Sequence, residues 1–414
     1  MKVRLIFAAA LVATLAVAAS TASARTSVSG RAAANKITVW LQVDAQSGWP
    51  NLVAAANQQF QAKHPGASVD VQYQTWPDHL GKFDATLAGG NEPDVIEMGN
   101  TEMTKYMAAG AFTNLNSQKG SFANSKHWLK GLAASGIYNG KTYGVPYYAG
   151  SRVVTYRSDL FRKAGARVPT SLAQFTADAK KLKKKGGRGF SPVYIAGTDW
   201  YFAMSFVYDY GGQIASLKHG KWRGQLESKK SRAGIAAYKR FFNVASRGGK
   251  TAIEDRPQPY DVYSKGRAAS IVGPAWFSCC VGKKYTKTTK QFVMPSHVKG
   301  QGMPGFLGGS DLAVPSGSND KALATDWIRI FTSTASEKGL QAKGNIPNAT
   351  NLLGTSVNER AAKRSWFVPT AKNWVNVENG NILRTMLGRI LTGRASIASA
   401  TSWADDNIET TLNQ

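Results

Sequence analysis

Apolar residues occupy every second position from 37 to 43, as expected for a β-strand with one buried face. From Pro50 to Phe60 the apolar residues instead recur at helical spacing, and alternation returns at 69–73. A second helical pattern at 80–87 leads into a third strand-like segment at 93–96. Strands and helices that alternate at these distances predict a three-layer α/β domain with parallel strands.

A similar order of elements recurs further along the chain. Residues 143–156 are predicted to be extended, and Ser171 is predicted to cap a helix that ends near Gly186. Further strand-like segments lie at 193–195, 268–272 and 312–314, and helical patterns include 236–242, 382–391 and 397–412. A chain of 414 residues is long enough for two domains, so we expect two α/β lobes.

The N-terminus has the features of an export signal. Lys2 and Arg4 precede an apolar run from 5 to 19, and residues 22–24 form a small-residue A-x-A cleavage pattern. The apolar run is shorter than the ~20 residues that span a membrane. We therefore expect residues 1–24 to be a signal peptide and 25–35 a linker. Because no cysteine lies near the cleavage site, the mature chain is expected to be exported without a lipid anchor.

The chain is strongly basic, with 52 Lys and Arg against 25 Asp and Glu, a formal charge of +27. Its densest basic run, 180–185, lies within the helix that Ser171 is predicted to cap, so we interpret it as a solvated helix face. The remaining bases are scattered and lack the pattern of a nucleic-acid module. Five histidines without an H-E-x-x-H motif, and no G-x-S-x-G or phosphate-loop motif, argue against zinc hydrolases, serine hydrolases and nucleotide-binding enzymes.

Short motifs along the chain occur in the order seen in one family of transport proteins. Among them are FQAKHPG at 60–66, LAGGNEPDV at 87–95, YRSDLF at 156–161, GPAW at 273–276 and LGGSD at 307–311. From about residue 36 to the end, the sequence resembles family 1 extracellular (periplasmic-type) solute-binding proteins of ABC sugar importers, the maltodextrin-binding-like group.

The resemblance implies a type II periplasmic-binding-protein fold, in which two lobes are joined by a hinge that the chain crosses three times. The implied N-lobe comprises 36–147 and 310–364, and the implied C-lobe 151–302 and 370–414. The crossings are placed near 148–152, 302–309 and 364–370. It also implies capture of a mono- or oligosaccharide and its delivery to a membrane permease, with no catalysis, no cofactor, no nucleic-acid partner and a monomeric chain.

Sugar binding requires aromatic platforms for the C–H faces of the rings and polar side chains for the hydroxyls. Trp276 follows the Gly-Pro turn where the resemblance implies a stacking aromatic, and Asp199 and Trp200 match an acidic–aromatic pair of the family. The remaining candidates lie at predicted strand ends, hinge segments and cleft loops; they are Gln42, Asp44, Trp49, Asn100, Thr101, Tyr147, Tyr148, Asp311, Trp374 and Asn376. Core packing or loop structure is the alternative for each, and Trp40, Trp327 and Trp403 are expected to be core residues.

Other functions stay open at this point. A secreted carbohydrate-active enzyme would need two cleft carboxylates ~5–9.5 Å apart, and a basic polyanion or glycan binder would lose affinity steeply with salt. The pair Tyr147 and Tyr148 resembles part of a ferric site, but no histidine or carboxylate lies near it in the sequence.

The only cysteines are the neighbours Cys279 and Cys280; we favour a vicinal disulfide, with buried free thiols or an intermolecular bridge as alternatives.

Overall fold

The computed structural model describes residues 36–254 and 256–414. The predicted signal peptide and linker lie outside these residues. The strands, in chain order, are β1 (Lys36–Gln42), β2 (Ser68–Gln74), β3 (Val95–Gly99), β4 (Ile137–Tyr138), β5 (Lys141–Thr142), β6 (Gly144–Arg157), β7 (Ala215–Lys218), β8 (Lys221–Gly224), β9 (Ser270–Pro274), β10 (Thr289–Phe292), β11 (Gly305–Ala313), β12 (Ile346–Pro347) and β13 (Ser365–Trp366).

Helices account for much of the remaining described chain. They are α1 (Val43–Gly48), α2 (Pro50–Lys63), α3 (His79–Gly89), α4 (Met103–Ala108), α5 (Lys130–Ser135), α6 (Ser158–Lys163), α7 (Leu172–Lys185), α8 (Trp200–Asp209), α9 (Lys229–Ala245), α10 (Pro259–Ser264), α11 (Lys321–Phe331), α12 (Thr334–Ala342), α13 (Val357–Ala362), α14 (Trp374–Asn379), α15 (Ile382–Thr392) and α16 (Ile397–Leu412). A 3-10 helix, Ala275–Cys280, follows β9 directly. No helix among the described residues is long and apolar enough to cross a membrane.

One mixed sheet runs through the molecule in the order β10-β6-β11-β3-β1-β2. Strands β1, β2 and β3 are parallel, and α2 and α3 connect them as the spacing of apolar residues predicts. Buried side chains pack on both faces of this part of the sheet, for example Phe60 on one face and Phe83 on the other. These elements form the predicted three-layer α/β arrangement.

Most buried apolar side chains belong to two large clusters. The N-core is built from residues of 37–147 and 312–349, and the C-core from residues of 154–306 and 366–412. The chain therefore passes three times between the two cores, which confirms the two-lobed fold with a threefold crossing. The exact lobe boundaries stay a prediction.

Two of the three passages are β-strands. The N-terminal half of β6 pairs with β11, and its C-terminal half pairs with β9 and β10. At the crossing, Gly309 lies opposite Ala149, and a Cβ on Gly309 would come within 2.1 Å of the Tyr148 carbonyl oxygen. The close approach of the two strands therefore requires a glycine at this position.

Several local predictions are confirmed. The Ser171 side chain accepts a hydrogen bond from the Gln174 N–H and caps α7, and Trp40 and Trp327 are buried. Trp403 is only half-buried and packs at the edge of the C-core. The predicted strand at 193–195 was wrong in detail, because this segment makes only isolated bridges, such as that between Tyr194 and Ile271.

Candidate functional site

The neighbouring parallel strands β1 and β3 end at the same edge of the N-core sheet. Gln42 ends β1, and its backbone N–H donates a 2.8 Å hydrogen bond to Oε2 of Glu97 on β3. Burial raises the pKa of Glu97 to about 7, while this N–H opposes the shift. The Gln42 Oε1 atom is buried and has no hydrogen-bond partner within the described chain. Buried polar atoms without a partner are uncommon in folded proteins.

Asp44 and Trp76 lie at the same edge of the sheet as Gln42. The Trp76 indole Nε1–H donates a 2.7 Å hydrogen bond to Asp44 Oδ2, and 38% of Trp76 is exposed. Its ring meets His79 edge-on, with the centroids 5.3 Å apart. Sequence reasoning missed Trp76, although an aromatic residue in a turn directly after β2 could have been noticed.

The N-core and C-core touch through the loop after β3. Helix α14 of the C-core packs against α4, which follows that loop. Burial raises the pKa of Glu378 on α14 to about 7, opposed first by the hydrogen bond from Trp374 and more weakly by Thr101. The nearby charge of Glu102 raises that pKa further. Glu102 itself is held by His79 Nε2 at 2.9 Å and by the Gly99 N–H at 2.9 Å. Thr101 therefore lies where side chains of both cores meet.

Asp199 caps helix α8 and balances a buried arginine. Its Oδ1 accepts a 3.1 Å hydrogen bond from the Phe202 N–H and lies 3.6 Å from NH2 of Arg152 on β6. Burial raises the pKa of Asp199, and the Arg152 charge opposes that shift. The Arg152 Nε is buried without a hydrogen-bond partner in the described part of the chain. Sequence reasoning missed Arg152, since nothing distinguishes it from other polar residues of a long strand.

Tyr201 is half-buried, and its ring packs against Trp200, Phe306 and the Arg152 guanidinium. Trp200 is 2% exposed and stacks on Tyr201 with centroids 3.9 Å apart and planes 29° apart. The guanidinium of Arg152 lies 4.5 Å from the Tyr201 ring centre. Burial raises the pKa of Tyr201 well above its usual value, and the nearby Glu378 charge adds to the shift. Arg384, paired with Glu254, completes the charged groups around this ring.

Trp276 is the most exposed of the predicted aromatic platforms, with 48% of its surface accessible. It lies on the 3-10 helix after β9, where Phe277 meets its ring edge-on at 4.8 Å and Tyr260 lies 6.0 Å away. It borders a cavity of about 430 Å³ whose other side is formed by residues such as Lys343 and Asn358. Trp276 is therefore accessible, and the cavity beside it is not lined by Tyr201.

Four predicted aromatic contacts are largely buried. Trp49 donates a 2.5 Å hydrogen bond to the Tyr147 hydroxyl, and both residues belong to the N-core. Trp374 is 1% exposed and donates to Glu378 Oε1. Like Trp200, these rings offer no free face in this conformation, and their contacts position Tyr148, Glu378 and Tyr201 instead.

Tyr148 is half-buried, and its position differs from that of its neighbour Tyr147. Burial, followed by the nearby Glu97 charge, raises the pKa of Tyr148 well above its usual value. The two tyrosine rings meet edge-on, with their centroids 4.7 Å apart, and Tyr148 packs against the N-core cluster that contains Tyr147. The Glu97 charge acts on both hydroxyls.

Asn100 and Asp311 make hydrogen bonds within the protein rather than at an open surface. The Asn100 Nδ2–H donates to the Leu307 carbonyl at 2.9 Å, and Asp311 Oδ2 accepts from Ser135 Oγ at 2.6 Å. Burial raises the pKa of Asp311 to about 7. Asn376 is exposed on α14. Asn100 and Asp311 thus support the strands near the hinge.

No group of three or more His, Cys, Asp or Glu side chains in the described residues could hold a metal ion. Cys280 is disulfide-bonded. The side chain of Cys279 lies outside the part of the structure that is described, so the vicinal bridge stays a prediction.

Comparison with known proteins gives a consistent result. Residues 55–362 match the model of a family described as bacterial extracellular solute-binding protein. The diacetylchitobiose-binding protein DasA of Streptomyces coelicolor is 30% identical over 383 residues, covering 89% of this chain and 88% of the relative. The lactose-binding protein of Rhizobium radiobacter is 23% identical, covering 87% and 85%.

A solved structure has the same fold. The GacH receptor of Streptomyces glaucescens, studied unliganded and with acarbose, superimposes with a TM-score of 0.77 at 19% identity. The match covers 92% of this chain and 98% of the receptor.

Proposed function

Because the chain belongs to the bacterial extracellular solute-binding proteins, we propose that it is the substrate-binding component of an ABC importer. It would capture a mono- or oligosaccharide between its two lobes and deliver it to a membrane permease. The names of its relatives, which bind diacetylchitobiose and lactose, support a carbohydrate ligand.

The observation that carries the proposal is the pair of cores between which the chain passes three times. Each lobe also holds a buried polar atom without a hydrogen-bond partner in the described chain: Gln42 Oε1, which accepts, and Arg152 Nε–H, which donates. Sugar hydroxyls do both, so they suit an atom of either kind. Trp76 is 38% exposed and Tyr201 is half-buried.

Ligand capture follows from the way the lobes are joined. Helices α4 and α14 bring the two lobes together beside the loop after β3, so a ligand held there would contact both lobes only when they are closed. Such a ligand shifts the population toward the closed state by its extra contacts in that state. The proposed role needs no catalytic group, and we propose that the chain has no enzymatic activity and acts as a monomer.

We also propose that the mature chain is exported and released without a lipid anchor. The family is extracellular, and the sequence has no cysteine near its A-x-A pattern. Recovery of the native protein in the soluble fraction after cell disruption without detergent is expected. Recovery only in detergent extracts of membranes would contradict release.

The function is tested by measuring the melting temperature of the protein with a panel of sugars that includes diacetylchitobiose, lactose and maltose. A ligand at 100 times its dissociation constant stabilises the native state by about 2.7 kcal/mol. Small-angle scattering with the same ligand should show a smaller radius of gyration. If no sugar raises the melting temperature, or if the purified protein hydrolyses one of them, the proposal is wrong.

A further inference from the structure

Basic residues of the C-lobe are concentrated at its end far from the proposed sugar site. Two segments of the C-lobe run parallel, with bridges between Ser191 and Ala268 and between Tyr194 and Ile271. At their C-terminal ends they lead to Asp199 and Trp276. At ~3.3 Å per residue of extended chain, the N-terminal ends of these segments lie about 20 Å from their C-terminal ends. That end of the C-lobe is called its distal pole below.

Three turns meet at the distal pole. The Arg247 N–H donates a 2.9 Å hydrogen bond to Ser191 Oγ, and the Ser191 N–H donates a 2.9 Å bond to the Arg267 carbonyl. The turn after α7 reaches Ser191 directly, so its charges join the same surface. The resulting distal basic patch consists of Lys183, Lys184, Lys185, Arg188, Arg247, Lys265 and Arg267.

All seven side chains are exposed, and their charges are not neutralised by the protein. Within 36–254 and 256–414, none of the seven forms an ion pair. The segments 183–191, 246–248 and 264–268 contain no Asp or Glu. By contrast, Lys181, on the same helix, is paired with Asp178 at 2.8 Å. The patch is therefore a local concentration of positive charge in addition to the general excess of the chain.

The surroundings of the patch favour a polymer over a membrane surface. Proteins that insert into a bilayer interface combine basic residues with exposed large apolar side chains. The exposed large apolar residues of the described structure are Val43, Trp76, Val168, Leu217, Trp276 and Val298, and none lies in the three turns. Lysines and arginines without exposed large apolar neighbours suit the repeated phosphates of a flexible chain.

We propose that the distal basic patch binds a linear phosphate-bearing polymer of the cell envelope. Binding at the distal pole leaves the sugar site free, so the protein can be retained near the cell while its lobes open and close. This attachment is independent of the proposed sugar binding and would supply the retention that a lipid anchor provides in other proteins.

The test compares two variants of equal net charge. The patch variant carries Lys183→Gln, Lys184→Gln, Lys185→Gln and Arg188→Gln. The control variant carries four exposed, unpaired N-lobe substitutions, Lys126→Gln, Lys130→Gln, Lys141→Gln and Lys338→Gln. Binding of each to immobilised long-chain sodium polyphosphate is measured over a range of salt concentrations.

We expect the patch variant to lose about tenfold or more in affinity and about 3 units of the slope of log K against log salt, at ~0.7 per lost phosphate contact. The control variant should lose at most about threefold. Equal losses in both variants would refute the patch as the site. Tighter binding of the wild type to phosphatidylglycerol vesicles, or to single-stranded DNA of equal charge, would refute the polymer as its partner. Calorimetry with the sugar ligand should give unchanged affinity in both variants.

Discussion

Replacement of Arg152 by methionine tests whether the buried charge pair at the hinge stabilises the fold. Methionine retains much of the side-chain volume but leaves the Asp199 carboxylate buried without its cation, originally 3.6 Å away. At an effective dielectric constant near 20, two unit charges at that distance attract by about 4–5 kcal/mol. Mutations that break buried pairs cost about 3–5 kcal/mol. We expect Arg152→Met to lower the free energy of unfolding by about 3 kcal/mol at pH 8.

The loss should depend on pH in a defined direction. Burial already raises the pKa of Asp199, and removal of Arg152 takes away the largest of the contributions that oppose this shift. The folded variant therefore binds a proton more readily than its unfolded chain does, and its stability relative to the wild type rises as the pH falls. Other buried carboxyls, such as Glu97, are common to both proteins and cancel in the difference.

Urea unfolding followed by tryptophan fluorescence at pH 8 and pH 5 measures both effects. The double-mutant cycle with Asp199→Asn separates the pair energy from the loss of packing on Tyr201. A coupling energy below about 0.5 kcal/mol, or a loss that does not shrink at pH 5, would refute the reasoning.

Three further predictions follow from the site and its surroundings. Tyr201→Leu should weaken sugar binding by about 1–3 kcal/mol, because an aromatic platform is lost; calorimetry should show no such change for the remote control Trp222→Leu, and equal affinities would exclude the platform. Burial raises the pKa of Asp311 from 3.8 to about 7, so the wild type loses stability as the pH rises from about 4 to about 7, and the loss levels off above 7. Asp311→Asn should therefore gain stability relative to the wild type between pH 5 and pH 8 in urea titrations, and a constant difference would contradict this. Mass spectrometry of the non-reduced chain should find no alkylatable thiol at Cys279 or Cys280, and reduction should weaken sugar binding more than it lowers the melting temperature; two modified thiols would end the idea.

Much of the fold could be predicted because it depends on local pattern. Alternation gave β1, β2 and the long β6, and Ser171 marked the start of α7 because a cap acts on its own first turn. The short strand expected at 193–195 was less certain from pattern alone. A few apolar residues do not determine whether a neighbour lies close enough for a continuous ladder.

The candidate site was harder to predict, since it depends on which face of each element turns toward the other lobe. Trp200 and Tyr201 are neighbours on α8, and residues one apart on a helix point about 100° away from each other. The sequence located Asp199 and Trp200 as candidates but could not show that Trp200 would be buried and that Tyr201 would lie half-buried beside Arg152. Arg152 was missed for the same reason, because its role comes from Asp199, which is distant in the chain.

The position of β11 has a consequence for the order of assembly during synthesis. This strand lies between β3 and β6 in the finished sheet, yet it follows β3 by about 200 residues in the chain. At roughly 5–20 residues per second, the ribosome needs on the order of 10–40 s to supply it. Until then β3 and β6 lack the strand that joins them, so the N-core cannot close around its first hundred residues. A chain built in this way stays incompletely folded through most of its synthesis, the state in which a polypeptide can be threaded across a membrane.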